Sequence, residues 1–356
     1  MQTKALQLAD MDRLKYIHHV TKRLRIITAA TLMMALGLQQ AEAAKYNSLT
    51  SIRSGGKDRQ YFLYVPDGIT DNRPLIISCH GMNQDYSYQK DQTQWPLLAD
   101  TANFVVAYPV GVPGSAWGIN YVTGWDMDGM TDVNFMLDIV DDLAERYHID
   151  RSRVYLSGFS LGGAFVYHVI NKCPEAFAAF APISGYQLMG ANYSSSRPVP
   201  IIHVHGTNDG TMPYSGIKDY IKKWAATDNC QPTAKYTEGN GYEEYRYIDG
   251  DCETEVVLYS VKGRDHEPSN EGFHTSNAIW NFCRQYTNGC GKIKDEPLKG
   301  DVDDNGSVNS ADIVSIYNYI LIAEESGITL SRADVDNNGE VNSGDVVAVF
   351  NIIIET

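Results

Sequence analysis

The sequence predicts an α/β fold, a doubly wound sheet with helices on both faces, followed by a small all-α unit. Three observations carry this expectation. Short apolar runs bounded by turn residues alternate with segments of helical periodicity. A Gly-x-Ser-x-Gly pattern, Gly158, Ser160 and Gly162, stands where one such run passes into a helical segment. Near the C-terminus an acidic stretch of 13 residues recurs at an offset of 33.

The chain has 356 residues, enough for more than one domain, and its hydrophobic fraction of 43% is ordinary for a globular protein. A net charge of −15 argues against nucleic acid and against a membrane surface as partners. The acidity is uneven, with eleven acidic and two basic residues from Lys299 onward. At the other end, Lys22, Arg23 and Arg25 precede an apolar run over 26–38, and Ala41-Glu42-Ala43 follows as a small-residue cleavage site. The run is too short to span a bilayer comfortably. We therefore expect a signal peptide over 1–43 and a secreted chain, with Met11 as an alternative start. The domain boundaries that follow are 44–290 for the α/β unit, 291–298 for a linker without periodicity, and 299–356 for the all-α unit.

Within the α/β unit, 46–53 and 60–65 read as opening strands joined at Ser54-Gly55-Gly56. The runs 74–78 and 104–108 are almost wholly apolar, as strands buried on both faces of a parallel sheet must be. The segment 131–147 places Val133, Met136, Leu137, Val140 and Leu143 on one helical stripe. After 153–156, which enters the Gly-x-Ser-x-Gly turn, come strands over 178–184, 200–204 and 254–261, with helices over 216–226 and 276–286. Export permits disulfides among six cysteines at 79, 173, 230, 252, 283 and 290. Closeness in sequence favours Cys283 with Cys290 and Cys230 with Cys252. Cys79 and Cys173 lie in apolar segments, as buried free thiols do.

A serine lifted out of a sheet by a tight strand-to-helix turn is the nucleophile elbow of an α/β-hydrolase. Acyl transfer from Ser160 needs a base for its proton, an acid to orient that base, and donors for the developing oxyanion. The chain order Ser, acid, His points to Asp209, just past the strand 200–204 in His205-Gly206-Thr207-Asn208-Asp209-Gly210. His266 and His274 are the candidates for the base; His266 sits on the loop after the last strand and is preferred. The amides of Met82 and Leu161 are the expected oxyanion donors, and His80 is a structural partner of the loop that carries Met82. Trp117, Tyr121 and Trp125 either line the substrate pocket or pack the core.

The stretches Cys79-His80-Gly81-Met82-Asn83-Gln84, Ile149-Asp150-Arg151-Ser152-Arg153-Val154-Tyr155-Leu156-Ser157-Gly158-Phe159-Ser160-Leu161-Gly162-Gly163, Pro174-Glu175-Ala176-Phe177 and His205-Gly206-Thr207-Asn208-Asp209 resemble carbohydrate esterase family 1. That family gathers feruloyl esterases, acetyl xylan esterases and polyhydroxybutyrate-depolymerase-like enzymes. Its closing motif resembles Gly263-Arg264-Asp265-His266-Glu267-Pro268, with Pro268 where the family carries Trp, and this supports His266. The resemblance spans roughly 58–286 and implies a serine esterase that needs no cofactor for catalysis.

In the C-terminal repeat, Asp301, Asp303, Asn305, Asn309 and Asp312 occupy positions 1, 3, 5, 9 and 12 of a calcium loop, and Asp334, Asp336, Asn338, Asn342 and Asp345 repeat them. Hard oxygen ligands at this spacing wrap one Ca²⁺ per loop, and the carbonyls of Ser307 and Glu340 complete the two sets. Each loop leads into an apolar helix. The tandem pattern resembles a type I dockerin, which implies a cohesin-bearing scaffold protein as partner. The positions that help select the cohesin differ here, Ser310-Ala311 against Ser343-Gly344. A dockerin-like unit beside such an esterase implies feruloyl or acetyl esters on plant cell-wall polysaccharide, xylan, as substrate. The alternatives are a polyhydroxyalkanoate depolymerase, a peptidase on the same fold, and a non-catalytic carbohydrate-binding module.

Overall fold

The computed structural model describes residues 47–356, apart from 68, 70, 117–118, 188–189, 294–299, 304–307, 323–329, 337 and 356. The expected signal peptide and most of the expected linker lie outside the described residues. The architecture below is that of Leu49–Thr356, which forms one compact unit.

Strands β1 (Ser48–Ser54) and β2 (Lys57–Tyr64) open the chain, and β3 (Leu75–Cys79) follows. Two short helices come next, α1 (Tyr86–Thr93) and α2 (Trp95–Ala102). Asp85 caps α1 by accepting a hydrogen bond from the Tyr88 amide, and Pro96 stands in the first turn of α2, where its missing N–H costs nothing. Strand β4 (Val105–Pro109) leads to a small separate hairpin, β5 (Val112–Ala116) and β6 (Ile119–Gly124). Then come α3 (Thr131–Tyr147), β7 (Val154–Phe159), α4 (Leu161–Lys172), β8 (Ala179–Ile183) and β9 (Ile201–Gly206). Helix α5 (Ile217–Thr227) precedes β10 (Lys235–Gly239), β11 (Tyr242–Tyr247) and β12 (Val256–Val261), and α6 (Thr275–Cys283) ends the sheet-bearing part.

Ten strands form one sheet in the order β1-β2-β4-β3-β7-β8-β9-β12-β11-β10. The six inner strands from β4 to β12 run parallel, while β2 pairs antiparallel with β4 on one side, and β11 with β12 and β10 with β11 pair antiparallel on the other. Every residue of β3, β4, β7, β8 and β9 is buried, which is why these strands read as unbroken apolar runs rather than alternating ones. Helix α3 buries Val133, Met136, Val140 and Leu143 of the predicted stripe, with Phe135 and Ile139 beside them and Leu137 only half-buried, and it is tied to β2 by a buried ion pair, Arg59 to Asp132 at 2.7 Å. A second, smaller cluster of buried residues joins Val302 and Val335 of the two acidic loops to Ile316 and Val349 of the C-terminal helices α7 (Ser310–Ile322) and α9 (Ser343–Glu355), with α8 (Leu330–Ala333) between them in sequence. The doubly wound sheet and the all-α end thus both match the expectation. No helix among the described residues is long and apolar enough to cross a membrane.

The disulfide differs from the expected pairs. Cys252 bonds Cys290, with their Cα atoms 4.8 Å apart. Cys283 faces the core from the last turn of α6, and Cys230 is buried with its thiol toward the Thr254 carbonyl, so neither thiol is offered to the nearer cysteine in sequence. Spatial approach of the Cα atoms decides pairing, and here a turn before β12 meets the chain after α6. Cys79 is buried and free as expected, whereas Cys173 is free and only half-buried.

Asp228, at the C-terminus of α5, is buried, and its carboxylate accepts a hydrogen bond from the Val199 amide at 3.3 Å. Burial pushes its carboxyl up to about 7, against the opposing pull of the Val199 N–H and Arg197. The folded value lies above that of the unfolded chain, so the unfolded state ionises first. Stability is therefore lost as pH climbs from the unfolded value toward the folded one. Asp228→Asn is expected to raise the melting temperature at about pH 8 and to lose that advantage at about pH 4. An advantage equal at both pH values in paired thermal melts would contradict this.

Candidate active site and acidic loops

Strand β7 ends at Phe159 and α4 begins at Leu161, so Ser160 alone makes the turn. Its backbone is left-handed, with φ 54° and ψ −116°, a conformation that costs a non-glycine residue about 1–3 kcal/mol. The neighbouring glycines make it attainable. A Cβ on Gly158 would strike the Gly162 carbonyl, and one on Gly162 would lie 2.5 Å from the Cys79 oxygen and 2.6 Å from that of His80. The Ser160 amide is held by the Ile183 carbonyl at 2.9 Å, which fixes the turn to the end of β8.

The three residues proposed from chain order meet at this turn. His266 Nε2 lies 2.9 Å from Ser160 Oγ, and His266 Nδ1 lies 2.8 Å from Asp209 Oδ2. With Nδ1–H donating to the carboxylate, Nε2 is left to accept the serine proton. The other Asp209 oxygen accepts the amides of Thr211 at 3.0 Å and Met212 at 2.7 Å. Burial opposes ionisation of Asp209, but the His266 hydrogen bond, the Met212 N–H and the two nearby imidazoles prevail and hold its carboxyl below the usual range. Phe159 packs on His266 with ring centroids 4.7 Å apart. His274, the other histidine considered, is exposed at the start of α6.

The loop that carries Met82 is clamped from several sides. His80 Nδ1–H donates to the Gly81 carbonyl at 2.7 Å, and the Gly111 amide donates to His80 Nε2 at 2.9 Å. Burial lowers the basicity of His80, against the pull of the Gly81 carbonyl, which suits this neutral form. The Gly81 amide donates to Gln84 Oε1, the Asn83 amide to the Thr123 carbonyl, and the Gln84 amide to the Gly81 carbonyl. Met82 itself is 36% exposed. Leu161 opens α4, so its amide is one of the first-turn donors that a helix leaves without an internal acceptor.

Of the three aromatics read as pocket-lining or packing, Trp117 lies outside the described residues, and so does the Tyr121 side chain. Trp125 is 2% exposed and stacks on Phe165, while its indole N–H donates to the His80 carbonyl at 2.8 Å. With Val112, Gly114, Val122, Gly124, Asp126, Thr131 and Asp132 it also lines a cavity beside the β5–β6 hairpin. Sequence reasoning missed that Trp125 props the Met82 loop. It also missed Arg264, which knots the His266 loop by donating to Thr275 Oγ1 at 2.7 Å and to the carbonyls of Glu271 and Phe273.

In the C-terminal repeat, one oxygen each from Asp301, Asp303 and Asp312 lies within 4.8 Å of the others, and Asp334, Asp336 and Asp345 form a second such group. Asp312 accepts the amides of Val302, Asp303 and Asn309, and Asp345 accepts those of Val335, Asp336 and Asn342, so the two loops close in the same way. Asn309 and Asn342 each accept an amide two residues on. The Asn338 amide donates to Asp336, and the Glu340 amide donates to Asn338. Asn305 and Ser307 lie outside the described residues. An all-oxygen donor set with three clustered carboxylates fits a hard divalent cation such as Ca²⁺.

Comparison with known proteins bears out both resemblances. Residues 59–210 match the family model described as esterase PHB depolymerase, and residues 299–354 match the dockerin type I domain. The chain is 38% identical over 241 residues to a bifunctional acetylxylan esterase/xylanase of Neocallimastix patriciarum, covering 66% of this chain and 34% of that protein. It is 25% identical to feruloyl esterase B of Piromyces equi, over 64% of this chain and 45% of that one. A poly(3-hydroxyalkanoate) depolymerase of Paucimonas lemoignei is also 25% identical, over 71% of this chain and 64% of its own length. This chain thus spans about a third and just under half of the first two relatives. The solved structure of an acetyl xylan esterase from Aspergillus awamori shares the fold, with TM-score 0.51, 19% identity and coverage of 63% of this chain and 96% of that one.

Proposed function

We propose that this chain, an α/β-hydrolase unit matching the PHB-depolymerase esterase family joined to a type I dockerin, is a secreted serine esterase acting on feruloyl or acetyl esters of plant cell-wall polysaccharide. The observation that carries the chemistry is the unbroken line from Ser160 Oγ through His266 to Asp209, with hydrogen bonds of 2.9 and 2.8 Å. His266 Nε2 takes the hydroxyl proton as Oγ attacks the ester carbonyl carbon. The amides of Met82 and Leu161 receive the oxyanion. As the tetrahedral intermediate collapses and the bond from the carbonyl carbon to the sugar oxygen breaks, the imidazolium, steadied by Asp209, gives its proton to that departing oxygen, which leaves as the sugar hydroxyl while the acyl group stays on Ser160. Water, deprotonated by the same His266, then releases the acid and restores Ser160.

The substrate class rests on the relatives and on the dockerin. The Neocallimastix and Piromyces relatives are named for acetylxylan and feruloyl esters, and a scaffold-tethered enzyme gains local concentration on an insoluble polysaccharide. The family model's description and the Paucimonas relative favour a second reading, polyester depolymerisation by the same triad. The two readings separate on methyl ferulate, acetylated xylan and polyhydroxybutyrate. We expect ferulate or acetate release without clearing of the polyester. Ser160→Ala and His266→Ala should each cost about 10³-fold or more in kcat, with His274→Ala within about twofold. Polyester clearing with neither acid released would transfer the assignment to the depolymerases.

The acidic loops are proposed to hold two Ca²⁺ ions, through the side chains of Asp301, Asp303, Asn305, Asn309 and Asp312 and of Asp334, Asp336, Asn338, Asn342 and Asp345, with carbonyls from Ser307 and Glu340. Bound calcium neutralises carboxylates that otherwise repel one another, so binding energy becomes folding energy. Helices α7 and α9 expose apolar residues at the same 33-residue offset, Val314 and Val347, Tyr317 and Phe350, which supports a cohesin-bearing scaffold as partner. Chelation of the full chain should open 300–355 to limited proteolysis while hydrolysis of p-nitrophenyl acetate stays within about twofold. An unchanged digestion pattern with and without chelator would sink the calcium assignment.

A further inference from the structure

Behind the acid, two more histidines are buried where the proposed reaction does not use them. His203 and His205 lie on β9 with no exposed surface, and their rings stack with centroids 5.3 Å apart. An unpaired polar group buried this deeply is costly, yet every ring nitrogen of the pair has a partner. His205 Nε2 is 2.8 Å from the Met212 carbonyl, which can only accept, so this nitrogen carries the proton. His205 Nδ1 then accepts from His203 Nε2–H at 3.0 Å, and His203 Nδ1 accepts from the Tyr167 hydroxyl at 2.9 Å. Tyr167 belongs to α4, the helix that Ser160 starts.

We infer that His205 is a positioning residue for the Asp209–His266 pair, held as its neutral Nε2–H tautomer by His203 and Tyr167 so that it anchors the irregular loop bearing Asp209. The inference rests on the esterase reading above. Met212 is the far end of that loop. Its N–H donates to Asp209 Oδ1 at 2.7 Å while its carbonyl is gripped by His205, whose Nε2 also lies 3.4 Å from Asp209 Oδ2. The next residue is held too, since the Tyr186 hydroxyl donates to the Pro213 carbonyl at 2.7 Å. A closed circuit results, from Ser160 along α4 to Tyr167, through both histidines to Met212 and Asp209, and back through His266. A fully satisfied buried network of this kind specifies one arrangement.

No proton needs to travel along this circuit. The ionisable groups facing His205 are His203, Asp209 and His266, with Tyr186 and Tyr214 whose rings lie 5.9 and 6.0 Å away. Burial holds His205 below the usual histidine range, against the pull of the Met212 carbonyl and Asp209. His203 is driven further down by burial and by His205. Both rings therefore stay uncharged where His266 must cycle.

The test compares His205→Leu with His205→Gln in the full chain, because a glutamine Nε2–H reaches the position of the imidazole Nε2–H. With p-nitrophenyl acetate, the leucine variant should lose about tenfold or more in kcat with KM within about twofold. Glutamine should restore kcat to within about threefold of wild type, again with KM little changed. A folded leucine variant with wild-type kcat, or a glutamine variant as impaired as leucine, overturns the proposal. Long-range proton–nitrogen spectra of the wild-type chain give a measurement that survives a leucine variant too unstable to fold. They should show both histidines as neutral Nε2–H tautomers at every pH where the chain is folded, and an Nδ1–H form or a titration in that range overturns the proposal. A wild-type chain that hydrolyses no ester, with the tautomers as stated, refutes the esterase reading and leaves the buried network intact.

Discussion

Everything at the active site depends on three backbone segments crossing at van der Waals limit beneath Ser160. The carbonyls of Cys79 and His80 at the end of β3 lie against Gly162 at the start of α4, and the Ile183 carbonyl at the end of β8 lies against Gly163 and accepts the Ser160 amide, so neither glycine has room for a side chain. That crowding holds Ser160 in a left-handed conformation that it would not otherwise adopt. The strain is distributed into a sheet whose central strands are buried on both faces, and such a scaffold resists relaxation.

The same crossing explains why residues so far apart in sequence come together. Ser160 and His266 are 106 residues apart, yet β7 and β12 belong to one parallel array, whose strands all end on one edge. Loops leaving that edge need only short reach. Each is then braced by something outside the triad: Arg264 for the His266 loop, Trp125 and His80 for the Met82 loop, and the Tyr167–His203–His205 line for the Asp209 loop. Geometry held to a few tenths of an ångström is what separates a hydrogen-bonded triad from three nearby polar residues.

The parallel core was legible because β3, β4, β7, β8 and β9 are buried on both faces, which imposes continuous apolar runs that no loop shares. The elbow was legible because its glycines are forced by contact. Strands β10 and β11 were not, since Lys235-Tyr236-Thr237-Glu238 and Tyr242-Glu243-Glu244-Tyr245-Arg246 lie at the sheet edge and carry charge that looks like loop; the Asn240-Gly241 turn between them was the available signal. The β5–β6 hairpin hid in Val112-Pro113-Gly114-Ser115, whose proline and glycine read as a turn. Disulfide pairing was illegible because it depends on where a turn before β12 meets the chain after α6. The three acids of each C-terminal loop were fixed by spacing alone, and they do gather. His203 carried no pattern beyond a histidine in an apolar strand, and His205 was read only as the opening residue of the stretch that leads to Asp209; their partners come from another element and from a loop.

The central claim is that Ser160 is a nucleophile activated by His266. Treating the intact chain with a fluorophosphonate and mapping the adduct by peptide mass spectrometry tests it without assuming any substrate. One phosphonyl group per chain on the peptide bearing Ser160 is the predicted result, with labelling slowed about 10³-fold or more in His266→Ala. No adduct on Ser160, or an adduct formed equally fast without His266, would contradict the account.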